Sequence, residues 1–456
     1  MAQIAYADCN PQYLAEQTYF NLASTKHINQ CIKDDIEISP LHFVWMTQIP
    51  NEKKRQEMGQ IMIEALKEQE FDLNSAIDGR LTFFGDFTLL QATVMYDAPD
   101  IAKMVITAGA DVNTVTANGM TALTQAVYSD NMAMVKLLVD AGADAAGPAP
   151  LKFAVDGNHL DIADFLLNAG AVADNALLES TITQSKAAMA SLLIEAGADI
   201  HATDKYGNTF LAKAIDKKSV AMATLLIEAG ADVNTPDKDG NTLLGIALSW
   251  RYLGILSTDR DLDMAKLLIE AGADVNARGQ GNNTLLFNVV GSNNLDAVRL
   301  LVDAGAEVNT DGKHLLTNFQ GFGGRWQHLP RYDELIVYLI EAGLNVQNDI
   351  GGSALVQVAG YPVQNEQNAI GLALINAGAP LNFVNQSQNT AITSASGQSN
   401  AVLVKALIEA GADVNIPAYG GCSALDRARD AEIQLMLKAA GALCSCNKRG
   451  TEAWCG

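Results

Sequence analysis

The sequence predicts an all-α repeat solenoid, a stack of helix–turn–helix units with polar fingers, and three observations predict it. The words "ASLLIEAGADIHATDKYGNT" and "ATLLIEAGADVNTPDKDGNT" follow one another with few changes. Eleven glycines, Gly109, Gly142, Gly170, Gly197, Gly230, Gly272, Gly305, Gly343, Gly378, Gly411 and Gly441, share one register, and four of the intervals, such as Gly197 to Gly230, are 33 residues. Apolar residues make up 49% of the chain but aromatics only 6%, so the core is built from Ala, Leu, Ile and Val, small enough for closely stacked helices. A length of 456 residues would otherwise suggest two or three ordinary domains. The fixed period replaces that estimate with about 12 to 13 units.

The unit "TFLAKAIDKKSVAMATLLIEAGADVN" shows how each element arises. The Thr209 hydroxyl can cap a short first helix. A turn follows at Asp216 to Ser219, and a second helix carries Val220, Ala223, Leu226 and Ile227 on one apolar face. Gly230 supplies the left-handed residue that ends that helix. The polar "ADVNTPDKDGN" then suits a projecting β-turn, with Asp199, Asp232, Asp274 and Asp413 as turn formers, before Thr242 restarts the cycle.

These words resemble the ankyrin repeat, whose recognisable parts here are "T-x-L-x-x-A" and "G-A-D-V-N". The resemblance implies two antiparallel helices and a hairpin-like finger per unit, stacked into a curved solenoid whose inner helices and fingers bind other macromolecules. Only "SPLHFV" (Ser39 to Val44) keeps the Pro and His of the usual "T-P-L-H-x-A". Elsewhere the His position holds Thr124, Lys152, Ala212, Gly245, Phe287, Thr317, Val356, Thr393 or Asp426.

The expected organisation is an N-terminal segment (1–17), degenerate capping repeats (18–87) interrupted by an insertion at Thr47 to Gly59, a repeat array (88–442) and a Cys-rich tail (443–456). Shortened intervals leave little room for a finger and divide the array near Ala145 to Asn175. Insertions at 249–262, 318–332 and 360–368 fall between the two helices of a unit and should emerge along one edge. That edge is rich in aromatics, with Trp250, Tyr252, Phe322, Trp326 and Tyr361 beside Arg251 and Arg325: either the rings fold back to cover the loops themselves, or they form an exposed ridge of the residue types found at contact hot spots. The other candidate contacts are finger tips: Lys205, Tyr206, Lys238, Asp239, Arg278 and Tyr419.

All six cysteines, Cys9, Cys31, Cys422, Cys444, Cys446 and Cys455, lie near the ends, where units have one neighbour and fray. Disulfides there would constrain the loosest parts, Cys9 with Cys31 at one end and one of three pairings at the other. "CSCNKRGTEAWC" lacks the paired C-x2-C of a zinc ribbon. Disulfides imply an oxidising compartment, periplasmic or secreted. "AYAD" (Ala5 to Asp8) resembles the end of an export signal, cleaved after Ala7, and with Cys9 and Cys31 the start is similar to exported bacterial ankyrin-repeat proteins.

A net charge of −22, with no offsetting basic cluster, disfavours nucleic acid and anionic membranes; it serves to keep an extended surface dispersed, or else to steer a basic partner. No apolar run reaches the ~18 residues of a membrane span. P-loop, nucleophile-elbow and H-E-x-x-H words are absent, "GFGG" (Gly321 to Gly324) lacks a strand before it, and His27, His42, His159, His201, His314 and His328 are scattered. The expectation is therefore a monomeric, non-enzymatic scaffold for a protein partner, with no cofactor or metal. Two alternatives remain: a cytosolic or host-directed adaptor with free thiols, and a small-molecule binder or enzyme with a pocket formed by the insertion loops.

Overall fold

In most units a hydroxyl residue opens the first helix. The structure is a computed structural model, and it describes residues 51–68, 70–75, 87–248, 262–279, 282–309, 314–317, 331–361 and 365–445. Its contacts separate two compact units, Met1–Ala202 and Thr203–Gly456.

The first unit holds α1 (Glu52–Glu68), then paired helices α2 (Leu89–Met95) and α3 (Pro99–Thr107), α4 (Ala122–Tyr128) and α5 (Met132–Asp140), α6 (Pro148–Gly157) and α7 (Leu160–Asn168), and α8 (Asn175–Thr183) and α9 (Ala187–Glu195). The second holds α10 (Phe210–Asp216) and α11 (Val220–Glu228), α12 (Leu243–Leu248) and α13 (Asp263–Glu270), and α14 (Leu285–Gly291) and α15 (Leu295–Asp303). It continues through α16 (Tyr332–Glu341), α17 (Asp349–Ala359), α18 (Asn365–Asn376), α19 (Ala391–Gly397), α20 (Ala401–Glu409), α21 (Ala424–Arg427) and α22 (Ala431–Ala439). Among the described residues no strand forms, and isolated bridges join Thr203 to Thr209 and Arg278 to Thr284. None of the described helices is long and apolar enough to cross a membrane.

Caps begin the helices as expected. Thr209 and Thr284 accept from the backbone N–H three residues on, while Thr88, Thr121, Thr390 and Ser423 form capping boxes with Gln91, Thr124, Thr393 and Asp426. The position the family gives to His is therefore used here, at Thr124, Thr393 and Asp426, to satisfy the helix's own first N–H groups. At the other end, all eleven registered glycines have positive φ, Gly230 at +99° among them.

The second helices bury the same places in each unit. In α11 these are Met222, Ala223 and Leu226, while Val220 and Ile227 are only half-buried, which shifts the predicted apolar face by about one residue. Met189, Ala190 and Leu193 in α9, and Leu403, Val404 and Leu407 in α20, repeat the pattern.

An asparagine ladder joins successive units. Asn113 donates its amide to Gly142 O (3.1 Å) and accepts from Asp144 N (2.8 Å) in the next unit. Asn234 does the same to Gly272 and Asp274, Asn276 to Gly305 and Glu307, Asn309 to Gly343 and Asn345, and Asn415 to Gly441 and Leu443. The Asn234 and Asn309 rungs bracket residues 249–261 and 318–330, so the stack continues across both insertions.

Four expectations need correcting. The stretch Glu52–Gly59, expected as an insertion, is the beginning of α1. Its Met58 and Met62 are buried, and Arg55 clasps Asp100 of α3 through Nε and Nη2 (3.0 Å each). The insertion at 360–368 is shorter, since α18 already starts at Asn365, and Asn368 is buried against the Asn400 amide (2.8 Å). The insertion at 318–332 ends before Tyr332, which is a buried residue of α16. The fingerless stretch 145–175 lies inside the first unit, whereas the chain divides between Ala202 and Thr203. The reason is local: α6 and α8 have 10 and 9 residues where α4 and α10 have 7, so residues that would build a finger extend a helix that still packs on its neighbours. The same trade occurs in α17, which has 11 residues and starts at the Asn348 cap, a turn ahead of Ser353.

Candidate functional site

Two consecutive fingers in the second unit are spelled almost alike, "TDKYGNT" and "PDKDGNT", and fold alike. In the first, Asp204 N donates to Asn208 O (2.9 Å) and Gly207 N to Asp204 O (2.9 Å), closing a tight hairpin turn. The Asp204 carboxylate fills the hairpin. Its Oδ1 accepts from Tyr206 N (2.8 Å) and Asn208 N (2.9 Å), and its Oδ2 from the Asn208 amide (3.2 Å) and Lys213 Nζ (3.2 Å) of α10. Burial alone would raise its pKa, but these donors outweigh it and hold the carboxyl down at about 2. In the next finger, Asp237 repeats the arrangement with Asp239 N, Asn241 N and the Asn241 amide.

The tips therefore stand on fixed supports. Lys205, Tyr206, Lys238, Asp239 and Arg278 are all exposed, Tyr206 at 64% and, in the last finger, Tyr419 at 73%. Lys205 Nζ lies 5.0 Å from the Tyr206 ring centroid, a cation–π contact. Lys238 pairs with Asp239 (2.7 Å), which raises its pKa, with Asp237 and Asp204 adding to the effect. Arg278 Nη1 donates to Asn282 O (2.9 Å) across its own finger. A Cβ on Gly207 would stand 4.0 Å from Lys238 Cβ, so the first two fingers abut there. Below the tips, Asp199, Asp232, Asp274 and Asp413 each accept the N–H two residues on at 2.9 Å, the turn-forming role expected of them. For Asp232 the bonds from Asn234 and Thr235 lower the pKa.

The ridge candidates fare differently. Trp250, Tyr252, Phe322, Arg325 and Trp326, with Arg251, lie outside the described residues, as do Cys9, Cys31, Cys446, Cys455 and the "AYAD" and "SPLHFV" words. Tyr361 is half-buried and its hydroxyl accepts from the Gln357 amide (3.1 Å), so it is not an exposed contact ring. Near the C-terminus, Asp426 Oδ2 accepts from Ser445 N (3.0 Å) while Ser445 Oγ donates to Gly421 O (2.7 Å), which lays Cys444 and Ser445 against the finger that carries Cys422.

Among the described residues the histidines have separate partners. His314 takes the cap position, its Nδ1 accepting from Leu316 N (3.2 Å) and its Nε2 meeting Asn345 O (2.7 Å), while His159 Nδ1 meets Asp130 (2.9 Å). Among the described residues no group of three His, Cys, Asp or Glu side chains could hold a metal.

Sequence reasoning singled out the tips but missed their supports, Asp204 and Asp237. The signal was present in D-x-x-G-N, where Asp and Asn flank the turn four residues apart. It also missed Tyr128, 66% exposed and edge-to-face with Phe153 at 6.2 Å between centroids.

The family model described as "Ankyrin repeats (3 copies)" matches residues 89–176 and 181–278, and that described as "Ankyrin repeats (many copies)" matches 255–302. The fold is an ankyrin-repeat solenoid. Among curated proteins, the chain is 33% identical over 102 residues to human (Homo sapiens) "Protein phosphatase 1 regulatory subunit 27". The match takes in 21% of this chain and 66% of that protein's length. The crystal structure of the human ASB11 ankyrin repeat domain aligns at 22% identity with a TM-score of 0.35, covering 47% of this chain and 96% of that one.

Proposed function

We propose that this chain is a non-enzymatic, monomeric protein-interaction scaffold that docks a partner protein on its ankyrin finger tips, and that it is exported and closed at its ends by disulfides. One observation carries the docking reading: exposed side chains of hot-spot type stand on hairpins already fixed by Asp204 and Asp237, so little ordering cost falls on binding. The similarity to a protein described as a regulatory subunit is in keeping with a chain that acts through another protein. A photo-crosslinking residue at Tyr206, compared with one at Leu435 on the outer side of α22 (69% exposed), tests it in the producing cell. A discrete adduct at Tyr206 and none at Leu435 is expected. Equal labelling at both, or labelling at Leu435 alone, rejects the fingers.

Support for the capped ends comes from Cys422 and Cys444. Both are disulfide-bonded, and among the described residues no cysteine is free. Alkylation with intact-mass measurement of the natively produced protein should then find no free thiols before reduction and six after it. Six before reduction would return the reading to a reducing compartment.

A further inference from the structure

The last finger closes like the earlier ones but lacks their support. Ala418 N donates to Cys422 O (2.8 Å) and Gly421 N to Ala418 O (2.9 Å), the same two bonds that tie Asp204 to Asn208 and Gly207. Counted back from the helix cap, Ser423 here and Thr209 there, Ala418 stands in the place of Asp204 and Cys422 in that of Asn208. A methyl group accepts no hydrogen bond, so the Asp–Asn brace of the first two fingers cannot form in this hairpin. Support reaches it from residues 443–445 instead. Leu443 N donates to Asn415 Oδ1 (2.8 Å), Ser445 Oγ donates to Gly421 O (2.7 Å), and Asp426 Oδ2 accepts from Ser445 N (3.0 Å) as well as from Ser423 N (2.8 Å). The bonds made by Leu443 and Ser445 are exposed and compete with water, so by themselves they hold this stretch weakly. Cys422 lies in the hairpin and Cys444 beside Ser445, and both are disulfide-bonded.

We propose that the disulfides at Cys422 and Cys444 take the place of the missing brace and make the last finger redox-sensitive. Oxidised, they keep residues 443–445 against the hairpin and give the Tyr419 tip, 73% exposed, a fixed support. A dithiol opens them. Its thiolate attacks a protein sulfur, its second thiol resolves the mixed disulfide, and each S–S bond becomes two protein thiols while the reductant closes into a disulfide of its own. Two electrons and two protons pass from reductant to protein for each bond opened. Cys444 is exposed and Cys422 half-buried, so the attacking thiolate has access. Released, the stretch is left to its hydrogen bonds, and the Tyr419 tip loses the preorganisation that favours docking. The first two fingers, braced by carboxylates, do not respond.

This switch presupposes the disulfide-closed ends, and one experiment separates the two. Hydrogen exchange on the natively produced full chain, read by mass spectrometry, would compare the oxidised protein with protein treated with dithiothreitol. Amides of residues 418–422 and 443–445 are expected to exchange at least about tenfold faster after reduction, while those of residues 204–208 and 237–241 keep their rates. Cys422→Ser should show the faster rates at 418–422 without any reductant. Unchanged rates at 418–422 on reduction, or equal acceleration at 204–208, overturn the switch, and the closed ends stand without it if intact mass finds every thiol oxidised beforehand. Six free thiols before reduction remove both.

Discussion

Gly351→Ala is expected to unfold the stack around α17, at a cost at or above the ~3 kcal/mol end of overpacking penalties. An added Cβ would lie 1.9 Å from Val346 O and 2.7 Å from Val346 C, and these are backbone atoms that no rotamer change can move. The Asn348 carboxamide binds Ile350 N and Gly351 N, and Val346 is buried, so the first turn of α17 has little freedom to retreat. Gly352 is nearly as tight, its added Cβ falling 2.6 Å from Phe383 Cβ on the next finger. Gly230 recurs in register between units for a different reason: its φ is +99° and nothing lies within 4 Å of an added Cβ. Gly230→Ala should therefore cost only the ~1–2 kcal/mol of a left-handed alanine. Urea unfolding of the two variants checks the order, and a Gly351→Ala midpoint no lower than that of Gly230→Ala refutes the close-packing argument.

What the sequence reveals depends on how local the cause is. Gly230 ends α11, and Thr209 and Asp232 act within four residues of themselves, so their roles follow from a short window of chain. The asparagine ladder does not. Asn113 could be taken for one more turn residue because its partners, Gly142 and Asp144, are 29 and 31 residues away. The helix α1 was hidden for another reason: "NEKKRQE" is so charged that it looks like a loop, and only the later Met58, Met62 and Leu66 give it a buried face. At the fingers, exposure of Lys205 and Tyr206 was legible from their place beside Gly207, while the inward turn of Asp204 required knowing that Lys213, a turn along α10, would reach it. Tyr361 shows the converse, since an aromatic in an apparent insertion proved to be bonded to the helix before it.

Asp204→Ala should destabilise the second unit by about 3 kcal/mol near neutral pH and remove docking at the first finger. The substitution takes the acceptor from Tyr206 N and Asn208 N inside a hairpin where the carboxylate is almost fully buried, and it removes the counter-charge of Lys213. Asp204→Asn keeps one oxygen for the two N–H groups and should cost less. The pH dependence follows from the direction of the shift. The folded carboxyl titrates at about 2, below its ordinary 3.8, so the folded state binds fewer protons than the unfolded one. Its contribution is complete above about pH 4 and fades as pH falls toward 2, where the wild type protonates the same group. The unfolding free energies of wild type and Asp204→Ala should thus differ most at pH 7 and converge in acid. A gap that stays constant from pH 7 to pH 2 would mean that the lost stability came from packing and not from the charge. If Asp204→Ala leaves crosslinking at Tyr206 intact, the tip does not depend on its support, and the preorganisation on which the docking reading rests is absent.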